Sequence, residues 1–360
     1  MLMWMNDPIN PNEPGFVNRG VGASPHTSMP PACATDGTCS GPLYIVINGG
    51  SGRRNTADEQ QSMSRVFAKA GREVEFLLIR KPRQIVALAQ RAVALALAHN
   101  GIAVAAGGDG TINAVASAVI SRAAQGDVCP LGVIPQGTFN LFGRAHGISQ
   151  NTDAAALALV SARAEPVQVG RVNSAIFLVN ASVGLYPQLL EDREVWKQRL
   201  GRSRVVAFFS GLATLFRSRQ QLRLSLDGPA SVGKAMAGGE IRTPTLFVGN
   251  NALQLQRIGI AQQDAQAAGL GQLAAVVVRP IGSASLLWLM LRGIIGRMGD
   301  AENVDTFSFR KLNVLPKGRK RIKVATDGET RWTRTPLVFE VSPTPLWLMM
   351  PRESERVAIE

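Results

Sequence analysis

Ile102-Ala-Val-Ala-Ala-Gly107-Gly108-Asp109-Gly110-Thr111-Ile112-Asn113 decides how the first half of this chain is read. A short apolar run stops at three glycines and one acid, and Ile112, Val115, Val119 and Ile120 then recur at helical spacing. The pattern predicts a strand, a tight turn and a helix. Glycines at 107, 108 and 110 permit positive φ and close approach of the backbone to a bound group. Amide N–H groups at a helix N-terminus attract anions, phosphate above all. Asp109 does not belong in a simple phosphate cradle. A carboxylate facing phosphates is repelled unless a cation lies between them or it handles a proton. The combination suggests metal-assisted phosphoryl transfer. The loop is not a P-loop, because no Gly-Lys-Ser/Thr follows, and it lacks the third glycine of a dinucleotide fingerprint. Taken alone, a structural glycine turn would explain it.

The flanking sequence repeats the theme. Leu43-Tyr-Ile-Val-Ile47 reads as a buried strand that opens into Asn48-Gly-Gly-Ser-Gly-Arg-Arg-Asn55, with a helix over about 56–70. A strand over 73–79 and a helix from Pro82 to His99 follow, and Asn100-Gly101 caps that helix. Leu131-Gly-Val-Ile134 is a further strand, ending in Pro135-Gln-Gly-Thr-Phe-Asn140. Alternating strands and helices imply a doubly wound α/β domain, a parallel sheet with helices on both faces. Ligands of such sheets bind beyond the carboxyl ends of the strands, where the loops 48–55, 107–113 and 135–140 would surround one polyphosphate. Arg53 and Arg54 either pair with phosphate or stay solvated.

Near residue 165 the character changes. Residues 166–179 read as two strands around a turn, and 222–226, 245–248, 273–278, 304–309, 322–325 and 337–341 add more, a β-rich pattern resembling a sandwich. Two apolar helical segments interrupt it. Residues 205–216 are flanked by Arg202, Arg204, Arg217 and Arg219, and 281–295 include Arg292. Each is too short to span a bilayer; each either lies in the headgroup plane or packs on its own sheet.

A chain of 360 residues with 46% hydrophobic content has room for two domains. Its 39 Lys+Arg against 26 Asp+Glu give a net charge of +13, which calls for an anionic partner such as a nucleotide or an acidic membrane. Few aromatics and no arginine-rich helix argue against nucleic acid. Residues 1–41, rich in Pro, Gly, Asn and Ser, read as a disordered tail. The three cysteines, Cys33, Cys39 and Cys129, suggest neither a disulfide framework nor a zinc site, and hence a reducing cytoplasm. No secretory signal is read at the start. The expectation is a cytoplasmic protein peripherally associated with the inner face of the membrane.

Five pieces now stand in order: Asn48-Gly-Gly-Ser-Gly52, Gly107-Gly108-Asp109-Gly110-Thr111, Pro135-Gln-Gly-Thr-Phe-Asn140, Asn180-Ala-Ser-Val-Gly-Leu-Tyr-Pro187 and Asp327-Gly328-Glu329. From about Leu43 to Pro351 the chain resembles the diacylglycerol kinase catalytic family, which includes bacterial lipid kinases and sphingosine kinases and is related to NAD kinases. The resemblance implies ATP-dependent phosphorylation of a lipid hydroxyl with Mg²⁺. It implies an α/β nucleotide-binding domain over 42–165, a β-sandwich lipid-substrate domain over 166–336, an active site in the cleft between them, and a segment 337–360 that returns to the first domain. Asn48, Ser51, Gly52, Gly107, Gly108, Asp109, Gly110, Thr111, Asn113, Gly137, Thr138 and Asn140 would bind the nucleotide. Glu329 would take the proton, with Asp109 the second candidate for that role and the residue expected to orient metal-bound phosphate.

The chain departs from the family in two places. Leu141 stands where many members have Asp, and Ala268-Gly269-Leu270-Gly271-Gln272-Leu273 lacks the acid linked to a structural metal. The acceptor stays open among diacylglycerol, a sphingoid base, monoacylglycerol and phosphatidylglycerol, and a homodimer also stays open. Two alternatives are a NAD-kinase-like enzyme with a soluble acceptor and a non-catalytic membrane or nucleotide-binding protein of the same fold. The first lacks an Asn-Asp pair after the first glycine turn; the second is disfavoured by retention of Asp109 and Glu329.

Overall fold

The computed structural model describes residues 28–49, 56–184, 221–228, 240–250, 270–279 and 304–358. The chain begins with β1 (Leu43–Asn48), α1 (Thr56–Lys69), β2 (Val74–Ile79), α2 (Ile85–Ala98), β3 (Ile102–Gly107), α3 (Asp109–Ala123) and β4 (Leu131–Pro135). Next come α4 (Leu141–Ala145), α5 (Thr152–Ser161) and β5 (Arg163–Val167). The β-rich part holds β6 (Gly170–Val172), β7 (Ala175–Phe177), β8 (Asn180–Gly184), β9 (Leu222–Asp227), β10 (Glu240–Thr243) and β11 (Thr245–Gly249). It continues through β12 (Leu273–Val278), β13 (Val304–Phe309), β14 (Lys311–Pro316), β15 (Arg321–Thr326), β16 (Glu329–Arg334) and β17 (Leu337–Val341) to β18 (Leu346–Met350).

The first sheet has the order β2-β1-β3-β4-β18-β5. Its strands β2, β1, β3, β4 and β18 run parallel, and β5 is antiparallel at the edge. Every residue of β3 is buried, as expected for a central parallel strand covered on both faces. The order reverses at β1, so right-handed crossovers put α1 on one face and α2 and α3 on the other. Accordingly α1 packs with α5, and α2 packs with α3. The buried residues of α2 are small, Ala89, Ala92 and Ala96 with Val93, which lets the helix pack closely on its neighbours.

The remaining strands form two antiparallel sheets, β10-β9-β14-β17-β6-β7 and β13-β12-β11-β8-β15-β16. Alternating side chains of both sheets, among them Leu224, Leu312 and Phe339 from one and Val248, Val277 and Val324 from the other, share one apolar cluster. That shared core gives the mixed architecture expected, an α/β part followed by a β-rich part.

Three expectations need correction. Residues 28–41, placed in a disordered tail, are ordered, and Cys33 and Cys39 form a disulfide. Gly37 O accepts from Ala164 N at 2.8 Å, Thr38 bridges to Arg163, and Arg72 donates to the carbonyls of Cys39 and Gly41. This strap covers the otherwise open edge of β5, which stabilises a segment whose own composition would leave it unfolded. The disulfide also removes cysteine usage as an argument for a reducing compartment. Residues 337–341 do not return to the first sheet; they form β17 in the second part, and β18 alone makes the return, beside β4. The apolar segments 205–216 and 281–295 lie outside the described residues. Among the described residues, no helix is long and apolar enough to cross a membrane.

Candidate active site

β1, β3 and β4 are parallel neighbours, so their carboxyl ends lie side by side at one end of the sheet. Gln136 N donates to Gly107 O at 2.9 Å, joining the second and third loops. A Cβ added at Gly137 would lie 2.6 Å from Gly108 Cα, and one at Gly107 would lie 2.6 Å from Thr111 Oγ1. None of Gly107, Gly108, Gly110 and Gly137 has a positive φ; Gly108 precedes α3 in an extended conformation, φ −84° and ψ −179°. The expectation of left-handed backbone was therefore misplaced. Close approach requires these glycines instead: Gly108 and Gly137 where the two loops meet, Gly107 against Thr111, and Gly110 against Glu329.

Asp109 opens α3 with its carboxylate facing the backbone amides of Asn140, Leu141 and Phe142 at the start of α4. Desolvation pushes its pKa above the usual aspartate value, those amides pull it down, and the negative charge of Asp327 pushes it up further. Its Oδ1 is buried without a hydrogen-bond partner. An orphaned carboxylate oxygen beside the glycine loops fits Mg²⁺, which binds through one or two carboxylates and completes its shell with phosphates and water. Among the described residues no group of three His, Cys, Asp or Glu forms an all-protein cage.

The turn between β15 and β16 reaches this loop from the second part of the molecule. Asp327, at φ 48°, accepts from Leu178 N (2.8 Å), Val179 N (2.9 Å) and Asn180 N (3.0 Å). It also accepts from Asn113 Nδ2 on α3 at 2.6 Å. Two residues on, Glu329 Oε1 would be 2.9 Å from a Cβ placed on Gly110. The absence of that Cβ lets the carboxylate sit against the start of α3. A groove of 580 Å³ leads away from this contact between α2 and α3, floored by small side chains such as Ala94, Ser117 and Ser121.

Residues 42–172 match the diacylglycerol kinase catalytic domain. The matched segment contains all three loops and Asp109, while Glu329 lies beyond it. A probable lipid kinase YegS-like from Pseudomonas putida is 32% identical over 189 residues, 49% of this chain and 62% of that protein. Another from Serratia proteamaculans is 31% identical over 164 residues, 42% of this chain and 53% of that protein. The similarity thus spans about half to three fifths of these relatives' length. In three dimensions the chain resembles a putative diacylglycerol kinase from Bacillus anthracis str. Sterne, with a TM-score of 0.63 at 19% identity over 86% of this chain and 97% of that one. At that identity the likeness speaks for the fold.

The other residues expected at the site divide into two groups. Asn48 ends β1 and Thr138 is exposed on the third loop, whereas Ser51 and Gly52 lie outside the described residues. Asn140 is turned inward: at φ 47° its Oδ1 accepts from Gly137 N, and its Nδ2 donates to Gly137 O and Gln150 Oε1. Asn113 likewise spends its amide on Asp327. Both shape the site through neighbours. Leu141, in place of an acid, packs against the first core. At the turn before β12, Gly271 N donates to Gln168 Oε1, and Gln168 Nε2 donates to Gln272 O and to Asn250 Oδ1. Neutral amides hold that turn without an acid.

Sequence reasoning assigned Asp327 no role, although it is the most heavily hydrogen-bonded acid at the site. Its place directly before Gly328 and Glu329 was the available signal. Gln136 was also passed over; its carboxamide is buried with no partner, beside Gly107 and Gly137.

Proposed function

We propose that the protein is an ATP-dependent lipid kinase, transferring the γ-phosphate of ATP to a lipid hydroxyl. The contact between Glu329 and Gly110 carries this reading, because it brings a carboxylate from the β-rich part against the anion-attracting start of α3. The phosphates of ATP would lie over the loops at 107–111 and 135–140, taking backbone N–H groups as donors. Mg²⁺, held through Asp109, would neutralise charge on the phosphates. Glu329 would accept the proton of the lipid hydroxyl as that oxygen bonds to the γ-phosphorus and the bond from the γ-phosphorus to ADP breaks. Asp327, clamped by four donors, holds the turn so that Glu329 faces the loop. The groove between α2 and α3 gives the acceptor a way to reach Glu329. The site then lies in the cleft between an α/β nucleotide domain and a β-sandwich, working at the anionic face of a membrane.

Incubation of the purified protein with labelled ATP, Mg²⁺ and a panel of diacylglycerol, monoacylglycerol, sphingoid base and phosphatidylglycerol tests the reading. A labelled lipid is the expected product. Label appearing only in water-soluble products would reject it.

A further inference from the structure

The hairpin that carries Glu329 also presents a second feature, on the opposite face of its strands. The register pairs Arg321 with Arg334 and Lys323 with Trp332, so these four side chains share one side of the sheet. Trp332 is 63% exposed, and Lys323 Nζ lies 5.3 Å from its ring centroid. Among the described residues, β16 is the last strand of its sheet. Residues 317–336 contain seven Lys and Arg against two acids, Asp327 and Glu329, and one of the seven, Lys317, pairs with Glu240. Asp327 is enclosed by donors and Glu329 faces Gly110, on the other side of the hairpin.

Two like charges directly opposite on paired strands repel, and an exposed tryptophan gains nothing from water. The fold tolerates both at once, on one face, beside the proposed proton acceptor. We infer that the outer face of the β15–β16 hairpin docks on an anionic lipid bilayer, with Trp332 entering the headgroup layer and Arg321, Lys323 and Arg334 facing lipid phosphates. Charge complementarity identifies the occupant, and indole rings favour the membrane–water boundary. A nucleic acid suits the surface less well, because Lys323 already covers the ring face on which a base would stack. The inference rests on the lipid-kinase reading for its purpose, since docking here would hold Glu329 and its groove close to the bilayer.

The test uses the full chain without ATP, sedimented with vesicles of phosphatidylcholine alone and of phosphatidylcholine mixed with phosphatidylserine. Binding to the mixed vesicles only, weakened by salt, is expected. The double variant Arg321→Glu/Arg334→Glu should lose on the order of 10–100-fold in affinity, and Trp332→Ala a smaller factor, with unchanged melting. Wild-type affinity in both variants would overturn the surface. So would loss of oligonucleotide binding in the double variant while vesicle binding persists. Phosphorylation of a short-chain, water-soluble acceptor separates the two proposals. Unchanged turnover there in the double variant supports a docking role apart from chemistry. If the wild type labels no lipid yet the variants lose vesicle binding, the surface stands and the kinase reading falls.

Discussion

Asn113 Nδ2 donates to Asp327 Oδ2 at 2.6 Å across 214 residues of sequence. This bond joins the helix after the glycine turn to the hairpin turn that presents Glu329. The same carboxylate holds three consecutive backbone amides, those of Leu178, Val179 and Asn180. One side chain thus fixes three segments relative to one another. Asp327→Ala would leave those amides and Asn113 without their acceptor, which should destabilise the protein by about 3 kcal/mol or more. Urea denaturation measures the loss. Asp327→Asn keeps the shape, and should show its defect chiefly in turnover because Glu329 is less well held.

Gly110→Ala tests the contact directly. The new methyl group would press on Glu329 Oε1, and displacing a proton acceptor by about 1 Å can cost on the order of 10²-fold in rate. Turnover with labelled ATP should fall steeply while the melting temperature changes little. Normal kcat in this variant would mean that the contact has no part in the chemistry.

Glu329→Gln should leave nucleotide binding near wild type and lower kcat on the order of 10²–10⁴-fold, the usual effect of removing a general base. Steady-state kinetics on whichever lipid is labelled will check it. A large rise in KM with kcat intact would instead assign Glu329 to acceptor binding.

Asp109→Asn should separate stability from function. Below pH 3.8 the carboxyl holds its proton in both folded and unfolded chains, so the substitution has little effect. As pH rises toward the raised folded value, the unfolded chain ionises first, and the wild type loses stability relative to the amide. The variant should therefore melt higher than the wild type at neutral pH, with the gap closing in acid. Its binding of Mg-ATP should be weaker, by titration calorimetry.

Cys33→Ser should cost about 2 kcal/mol, the entropy of a short closed loop, without altering kcat. The strap it closes lies by Gly41 and Arg72, just before β1 and β2, at the end of the sheet opposite the glycine loops. Melting with and without reductant measures the first effect, and lipid phosphorylation the second.

Periodicity and turn chemistry act over a dozen residues, so the sequence by itself determined the alternation of β1 to β4 with α1 to α3, the three small-residue loops at their ends, and the β-rich character of the chain beyond residue 165. Asp109 announced itself in the same way, as an acid where phosphate was expected. Tertiary structure alone decided what these parts meet. The order of residues 28–41 depends on the edge of β5 and on Arg72, and the return of β18 rather than β17 on a vacancy beside β4. The closeness of Glu329 to Gly110 depends on Asp327 gathering amides from distant segments. Local propensity cannot encode such contacts, because each exists only once separate segments have packed and left the groups no water to turn to.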